Sequence, residues 1–259
     1  MSTNPYAAPK ADVAGVSAAA QGNFVAEGHP VPAGHGWTWI ASAWKLFERQ
    51  PGIWVAIALI AIVIFAAFHF MHVFGMILGI LLTPVFTAGV VIGAKALDEG
   101  RDLEMAHLFA GFSDRFGALI AVGAIYLALL LAIVVVSALV TGVGVWVMLS
   151  ASPDLPGATL SAMLSILLAW LIALALMVPV FMAVWFAPAL VVFNELGALD
   201  ALKASFLGCL KNIVPFLIYG LILFCLAFLA TIPVLLGWLV LGPVIGASIY
   251  TSYRDIYFR

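Results

Sequence analysis

The chain has 259 residues, 66% of them hydrophobic and only 8% charged, with a formal net charge of −2. Soluble domains carry roughly 25% charged residues, and a globule with so little polar surface would aggregate in water, so the consistent solvent is a bilayer. The charge balance excludes a nucleic-acid binder, which needs a basic face, and the two cysteines, Cys209 and Cys225, supply no disulfide framework.

Residues 1–35 are rich in Ala, Gly and Pro, with Pro5, Pro9, Pro30 and Pro32, and lack a long aliphatic run. They read as a disordered tail ahead of a transmembrane domain over 36–259. The start has no basic region followed by an apolar core, so it does not read as a signal peptide, and it carries no lipidation pattern. Trp37, Ile40, Trp44 and Phe47 then recur at helical spacing. They predict a short amphipathic helix at the membrane interface, within a stretch over 37–54 that Pro51-Gly52 punctuates.

The first span is predicted over 53–71, without a charge and near the ~20 residues that a crossing requires. The second, over 74–97, contains Gly75-xxx-Gly79 and Gly89-xxx-Gly93, a spacing that lets helices approach closely. Its Pro84 is expected to loosen or kink it. The segment DEGRDLEMAHLFAGFSDR (98–115) is the most charged of the chain. A second amphipathic helix is predicted over 103–119, with Leu103, Ala106, Phe109 and Phe112 as its stripe and Asp102 as its cap.

Two apolar blocks follow, 116–150 and 158–193. Each makes roughly 50 Å of helix, about 20 Å more than the hydrocarbon core. Tilt, a break or projection would absorb the excess. Gly142-Val143-Gly144 is the expected break in the first block, and Pro179 and Pro188 are the expected bends in the second. Two full spans per block would need about 40 residues, so each counts as one, joined by a connector (151–157) containing Asp154.

The stretch ALDALKASFLGCLKNIVPF (198–216) predicts the third amphipathic helix. Leu199, Leu202, Phe206, Cys209, Leu210 and Ile213 fall within an arc of about 100°, flanked by Lys203 and Lys211, which can reach lipid phosphates. Spans over 213–235 and 237–252 follow, with a tight turn at Gly237-Trp238 between them and Tyr250, Tyr253 and Tyr257 expected as interface anchors.

The sequence therefore predicts an all-α polytopic membrane protein with six transmembrane helices and three cytoplasmic amphipathic interfacial helices. On that plan all ten Lys and Arg residues fall on one side. The positive-inside rule makes that side cytoplasmic, with both termini inside. Arg49, Arg115 and Lys211 each open an outgoing span, and Pro84, Pro188 and Pro243 each lie on a returning one. The basic-to-proline intervals are 35, 73 and 32 residues, so the middle unit is enlarged. Each unit begins and ends inside, which fits a parallel threefold internal repeat.

No span interior contains Asp, Glu, Lys or Arg, which removes the usual machinery of a proton- or sodium-coupled pump. His69 and His72 stand one turn apart near Met76, short of the three or four ligands a metal needs. His107 lies on the second amphipathic helix, and Asp98, Glu99, Asp102 and Glu104 cluster around Arg101 as a solvated loop. Ser137, Ser161 and Ser165 have no nearby base, and no hydrolase, metalloprotease or phosphate-loop motif occurs. No catalytic, cofactor-binding or metal-ligating residue is predicted, and the expected partners are membrane lipids.

The segments ALKASFLGCLKNIVPFLIYG, LLTPVF, AHLFAGF, WFAPALVVF and LGPVIGASIYTSYRDIYF, in their order along 36–258, resemble a family of uncharacterised proteobacterial inner-membrane proteins. That resemblance implies six membrane helices in a bacterial inner membrane and no established reaction. The organisation more distantly resembles the membrane region of some glycerophosphodiester phosphodiesterases, without their catalytic domain. Two functions are expected: a non-enzymatic structural or lipid-interacting role, or a transporter or permease for an apolar or amphipathic solute.

Overall fold

Pro51 sets the first boundary of the fold, because a proline is favoured at the first position of a helix, where its fixed φ fits and its missing N–H costs no hydrogen bond. The structure, a computed structural model, describes residues 22–150 and 158–259. Helix α1 (His35–Arg49) ends at Gln50, and α2 (Pro51–Phe70) starts with that proline. A one-residue turn at Met71 leads into α3 (His72–Asp98). A 3₁₀ helix (Met105–Phe112) precedes α4 (Phe116–Ser150) and α5 (Ala158–Trp185). Then come α6 (Ala187–Asn194), α7 (Ala198–Lys211), α8 (Ile213–Thr231) and α9 (Trp238–Tyr257). The described residues form no sheet; one isolated bridge joins Phe24 to Phe258. Asp154 and its connector lie outside the described residues.

Among the described residues, five stretches are long and apolar enough to cross a membrane: Pro51–Phe70, His72–Asp98, Phe116–Ser150, Thr159–Asn194 and Ile213–Thr231. Their outer faces carry large bare side chains, among them Val63, Leu139, Trp146, Trp170 and Phe224. Only a lipid solvent accepts such a surface. The last helix, α9, is of a different kind. It buries Ser248, Ser252, Tyr250, Tyr253 and Tyr257 against α1, α2, α3 and α8.

Several expectations are corrected. Residues 22–34, read as disordered tail, form an ordered strap: Asn23 N–H donates to Arg259 O (3.0 Å), Val25 N–H to Tyr257 O (2.8 Å) and His29 N–H to Ile256 O (2.9 Å). Backbone pairing holds them, which composition does not reveal; residues 1–21 lie outside the described residues. The second amphipathic segment is a short 3₁₀ helix, and its cap is Glu104, not Asp102. Asp102 instead accepts from Gln50 Nε2 (2.7 Å), while Gln50 Oε1 accepts Leu103 N–H (2.8 Å). The 3₁₀ form fits the packing. A side chain at Gly89 would strike the His107 and Leu108 carbonyls, and one at Gly111 the Val85 carbonyl, so glycines on both sides let two backbones touch.

Helix α4 runs unbroken through Gly142-Val143-Gly144. Gly144 is there for close approach, since a Cβ would collide with Ser165 of α5. The interruption of the next block falls at Phe186, between α5 and α6, with Pro188 in the first turn of α6. Tyr250, Tyr253 and Tyr257 are core residues, not interface anchors, because each phenol has a protein partner: Asp98, Asn194 and the Ala204 carbonyl respectively.

Candidate functional site

Helix ends expose four carbonyls each, which attract positive charge. The ends of α3, α6 and α9 gather at one end of the bundle, and basic side chains meet them there. Arg49 donates to the Leu97 carbonyl at the end of α3. Arg115 pairs with Glu195 (2.5 Å), the left-handed residue that closes α6. Lys211 reaches Glu27 (3.2 Å) and the Gly28 carbonyl (3.3 Å) on the strap that borders the end of α9. The strap itself is locked at its other side, where His29 Nε2 bonds the Phe258 carbonyl (3.0 Å).

The same end holds a second set of bonds across elements. Arg254 and Tyr250 of α9 both donate to Asp98 of α3. Asp255 accepts Trp39 Nε1 (2.7 Å) and contacts His35 Nδ1 (2.8 Å), tying α9 to α1. Tyr253 donates to Asn194 of α6, and Lys95 lies over the Phe193 ring (4.8 Å). A polar cavity of about 440 Å³ opens here, lined by Ser42, Asp98, Tyr250, Arg254, Asp255 and Arg259 among others. Its carboxylates already hold partners.

Two side chains on or beside α7 repair breaks in neighbouring backbone. Ser205, fully buried, accepts Phe186 N–H (2.9 Å) and donates to the Met182 carbonyl (2.7 Å). Those two groups would bond each other in an unbroken helix, so the serine hydroxyl is inserted into the ladder. Asn212, between α7 and α8, donates to the Gly208 carbonyl (2.8 Å) and the His29 carbonyl (2.9 Å). Its Oδ1 accepts Val31 N–H (2.8 Å). Neither Asn212 nor Ser205 stands out in the sequence. A buried hydroxyl four residues before a buried thiol carries little pattern.

The buried face of α7 is made of Ala201, Leu202, Ala204, Ser205, Gly208 and Cys209. Of the predicted apolar arc, Leu202 and Cys209 are buried, whereas Leu199, Leu210 and Ile213 are exposed. Burial pushes the Cys209 thiol well above its usual value, against a lowering by Ser205, so it stays protonated. Cys225 is exposed on α8. Of the predicted flanking lysines, Lys211 is engaged by the strap and Lys203 has no partner among the described residues.

Beside Ser205, helices α5, α7 and α8 enclose an apolar groove of about 670 Å³. Leu174, Val178 and Trp185 of α5, Phe206 of α7, and Phe216 and Leu217 of α8 line it with others. The volume is in the range of ligand pockets, roughly 300–1,000 Å³. The Trp185 indole N–H is buried without a partner.

The remaining candidates do not assemble. His69 ends α2 and His72 begins α3, and among the described residues no three His, Cys, Asp or Glu side chains come together. His107 is a local device: its Nδ1 accepts Glu104 N–H (2.9 Å) in a reciprocal cap. Ser165 bonds the Ala162 carbonyl one turn back, Ser137 is buried without a partner, and neither joins a base. Arg101 pairs with Glu99 (2.5 Å), as a solvated loop would.

No known protein family matches the chain, and no solved structure does. The distant likeness to phosphodiesterase membrane regions therefore carries no argument. Over 234 residues the chain is 28% identical to a protein of Burkholderia thailandensis described as a probable inner membrane protein. The match covers 85% of this chain and 82% of that protein. With five stretches of crossing length and an all-helical described fold, the chain is a multi-pass integral protein of an inner membrane.

Proposed function

We propose that the protein is a non-enzymatic, six-span membrane protein whose three short helices lie at the cytoplasmic interface and engage that leaflet. One observation carries the reading. Three helices far apart in sequence each turn large apolar side chains away from the protein: Trp37 and Trp44 on α1, Met105 and Phe109 on the 3₁₀ helix, and Leu199 on α7. Lys45 and Lys203 are exposed on the same short helices. Bulky apolar groups beside free cations suit the boundary between acyl chains and phosphates. Spin labels at Trp44→Cys, Phe109→Cys and Leu199→Cys, in vesicles, are expected to collide more with oxygen than with a water-soluble nickel complex. Preferential contact with nickel at all three would overturn the reading.

In this reading α9 is the sixth span. Its 20 residues make about 30 Å of helix, enough for a crossing. Its serines and tyrosines are compatible with that depth because neighbouring helices supply their partners. The threefold plan is supported by the three basic residues, each of which meets the returning end of its own unit or the strap beside it. Reporter fusions after Arg101 and Lys203 are expected to read as cytoplasmic, and a fusion after Asp154 as external. A cytoplasmic signal at Asp154 would rule out six spans. The transporter reading lacks an observation of its own, since neither cavity described above is lined by Pro84, Pro188 or Pro243.

A further inference from the structure

We infer that the groove between α5, α7 and α8 holds one acyl chain of an anionic glycerophospholipid, with the lipid phosphate against Lys203. The inference rests on the lipid-facing role proposed above and adds a specific seat to it. The first support is length. From Leu174 to Trp185 the groove follows α5 for 11 residues, about 16 Å of helix. That is close to one leaflet, half of a hydrocarbon core of roughly 30 Å.

The second support is where the charge falls. The Trp185 end meets α7, which is bonded there through Ser205 to Met182 and Phe186. On α7, Phe206 and Leu210 line the groove. Lys203 precedes them by three and seven residues, which places it on the same helix stripe. It is exposed and has no ion-pair partner among the described residues, and Asp200 one turn back makes none with it. An apolar slot one leaflet deep, with a free cation on the helix across its end, matches a chain-plus-phosphate ligand. The other lysine of this helix, Lys211, is already taken by Glu27 and Gly28.

A third feature fits an ester-linked lipid. Trp185 forms part of the wall, and its indole N–H has no acceptor, although buried indoles usually find one. An ester-linked occupant would bring carbonyl acceptors to that wall.

The test uses the full chain, purified in mild detergent and exchanged with either phosphatidylglycerol or phosphatidylcholine, with retained lipid counted by native mass spectrometry. The wild type is expected to keep one phosphatidylglycerol in preference to phosphatidylcholine. Lys203→Glu should lower that retention about tenfold, and Lys203→Arg should restore it. Leu217→Trp, which fills the groove from its exposed rim, should reduce retention of both lipids. Leu221→Trp, one turn along α8 and just as exposed (66% for each leucine), should not. Circular dichroism checks that each variant stays helical. Wild-type retention in both Lys203→Glu and Leu217→Trp would overturn the inference, as would equal retention of the two lipids by the wild type. The spin-label result is independent. If it stands while retention ignores the groove, the seat is wrong and the interfacial role survives; if labels report water, the wider reading fails whatever the groove retains.

Discussion

Replacing Asn212 with leucine is expected to destabilise the protein by roughly 3–5 kcal/mol, because three buried or half-buried backbone groups lose their partner at once. The side chain is 1% exposed and bonds the Gly208 carbonyl, the His29 carbonyl and Val31 N–H. Leucine has a similar size, so the change removes the bonds without opening a large cavity. In detergent the apparent Tm should fall by about 10–15 °C. Cutting after Glu27 by a glutamate-specific protease should become much faster, because the strap loses its attachment to the α7–α8 corner. Asn212→Asp keeps an acceptor for Val31 and loses both donations, so its loss should be intermediate. A leucine variant with unchanged Tm and unchanged cutting would show that the strap is held by the α9 end alone.

The second large effect is expected at Ser205. In Ser205→Ala the Phe186 N–H and the Met182 carbonyl remain apart and both lack a partner. At about 1–3 kcal/mol for each orphaned group, the loss is roughly 2–4 kcal/mol, or a Tm lower by about 5–10 °C. The distinguishing variant removes the reason for the break: Pro188→Ala restores a backbone N–H to the first turn of α6. If Ser205 acts by splicing the interruption, Pro188→Ala should recover part of the loss in Ser205→Ala. Additive losses in the double variant would mean that the two residues act independently.

Hydropathy made most of this architecture legible because long apolar runs leave a chain few alternatives. Pro51 and the Gly237 region marked boundaries for steric reasons that apply in any surroundings. The pattern failed where two apolar environments compete. On α7 a hydrophobic arc cannot tell lipid from protein, and the side facing the protein is the small one. Ala201, Ala204, Ser205 and Gly208 recur at i, i+3, i+4 and i+7, so small-residue periodicity was the available signal. The tyrosines of α9 misled for a related reason. Tyrosine is common both at membrane interfaces and in cores that supply an acceptor, and Asp98, Asn194 and the Ala204 carbonyl are 152, 59 and 53 residues from the tyrosines they serve. The strap left no trace in composition, since Asn23, Val25 and His29 are held through backbone atoms that every residue type carries.

That strap sets a schedule for biogenesis. Its residues pair with partners up to 236 positions downstream. At roughly 5–20 residues per second, the ribosome takes about 12–47 s to make that interval. Hairpins can enter the bilayer one after another during that time, but the seam between the first helix and the last cannot close. Until Ile256–Phe258 emerge, His29 and Asn212 have only part of their final surroundings. Closure of that seam, through the backbone bonds of Asn23, Val25 and His29 to residues 256–259, is therefore expected to follow synthesis of the last helix.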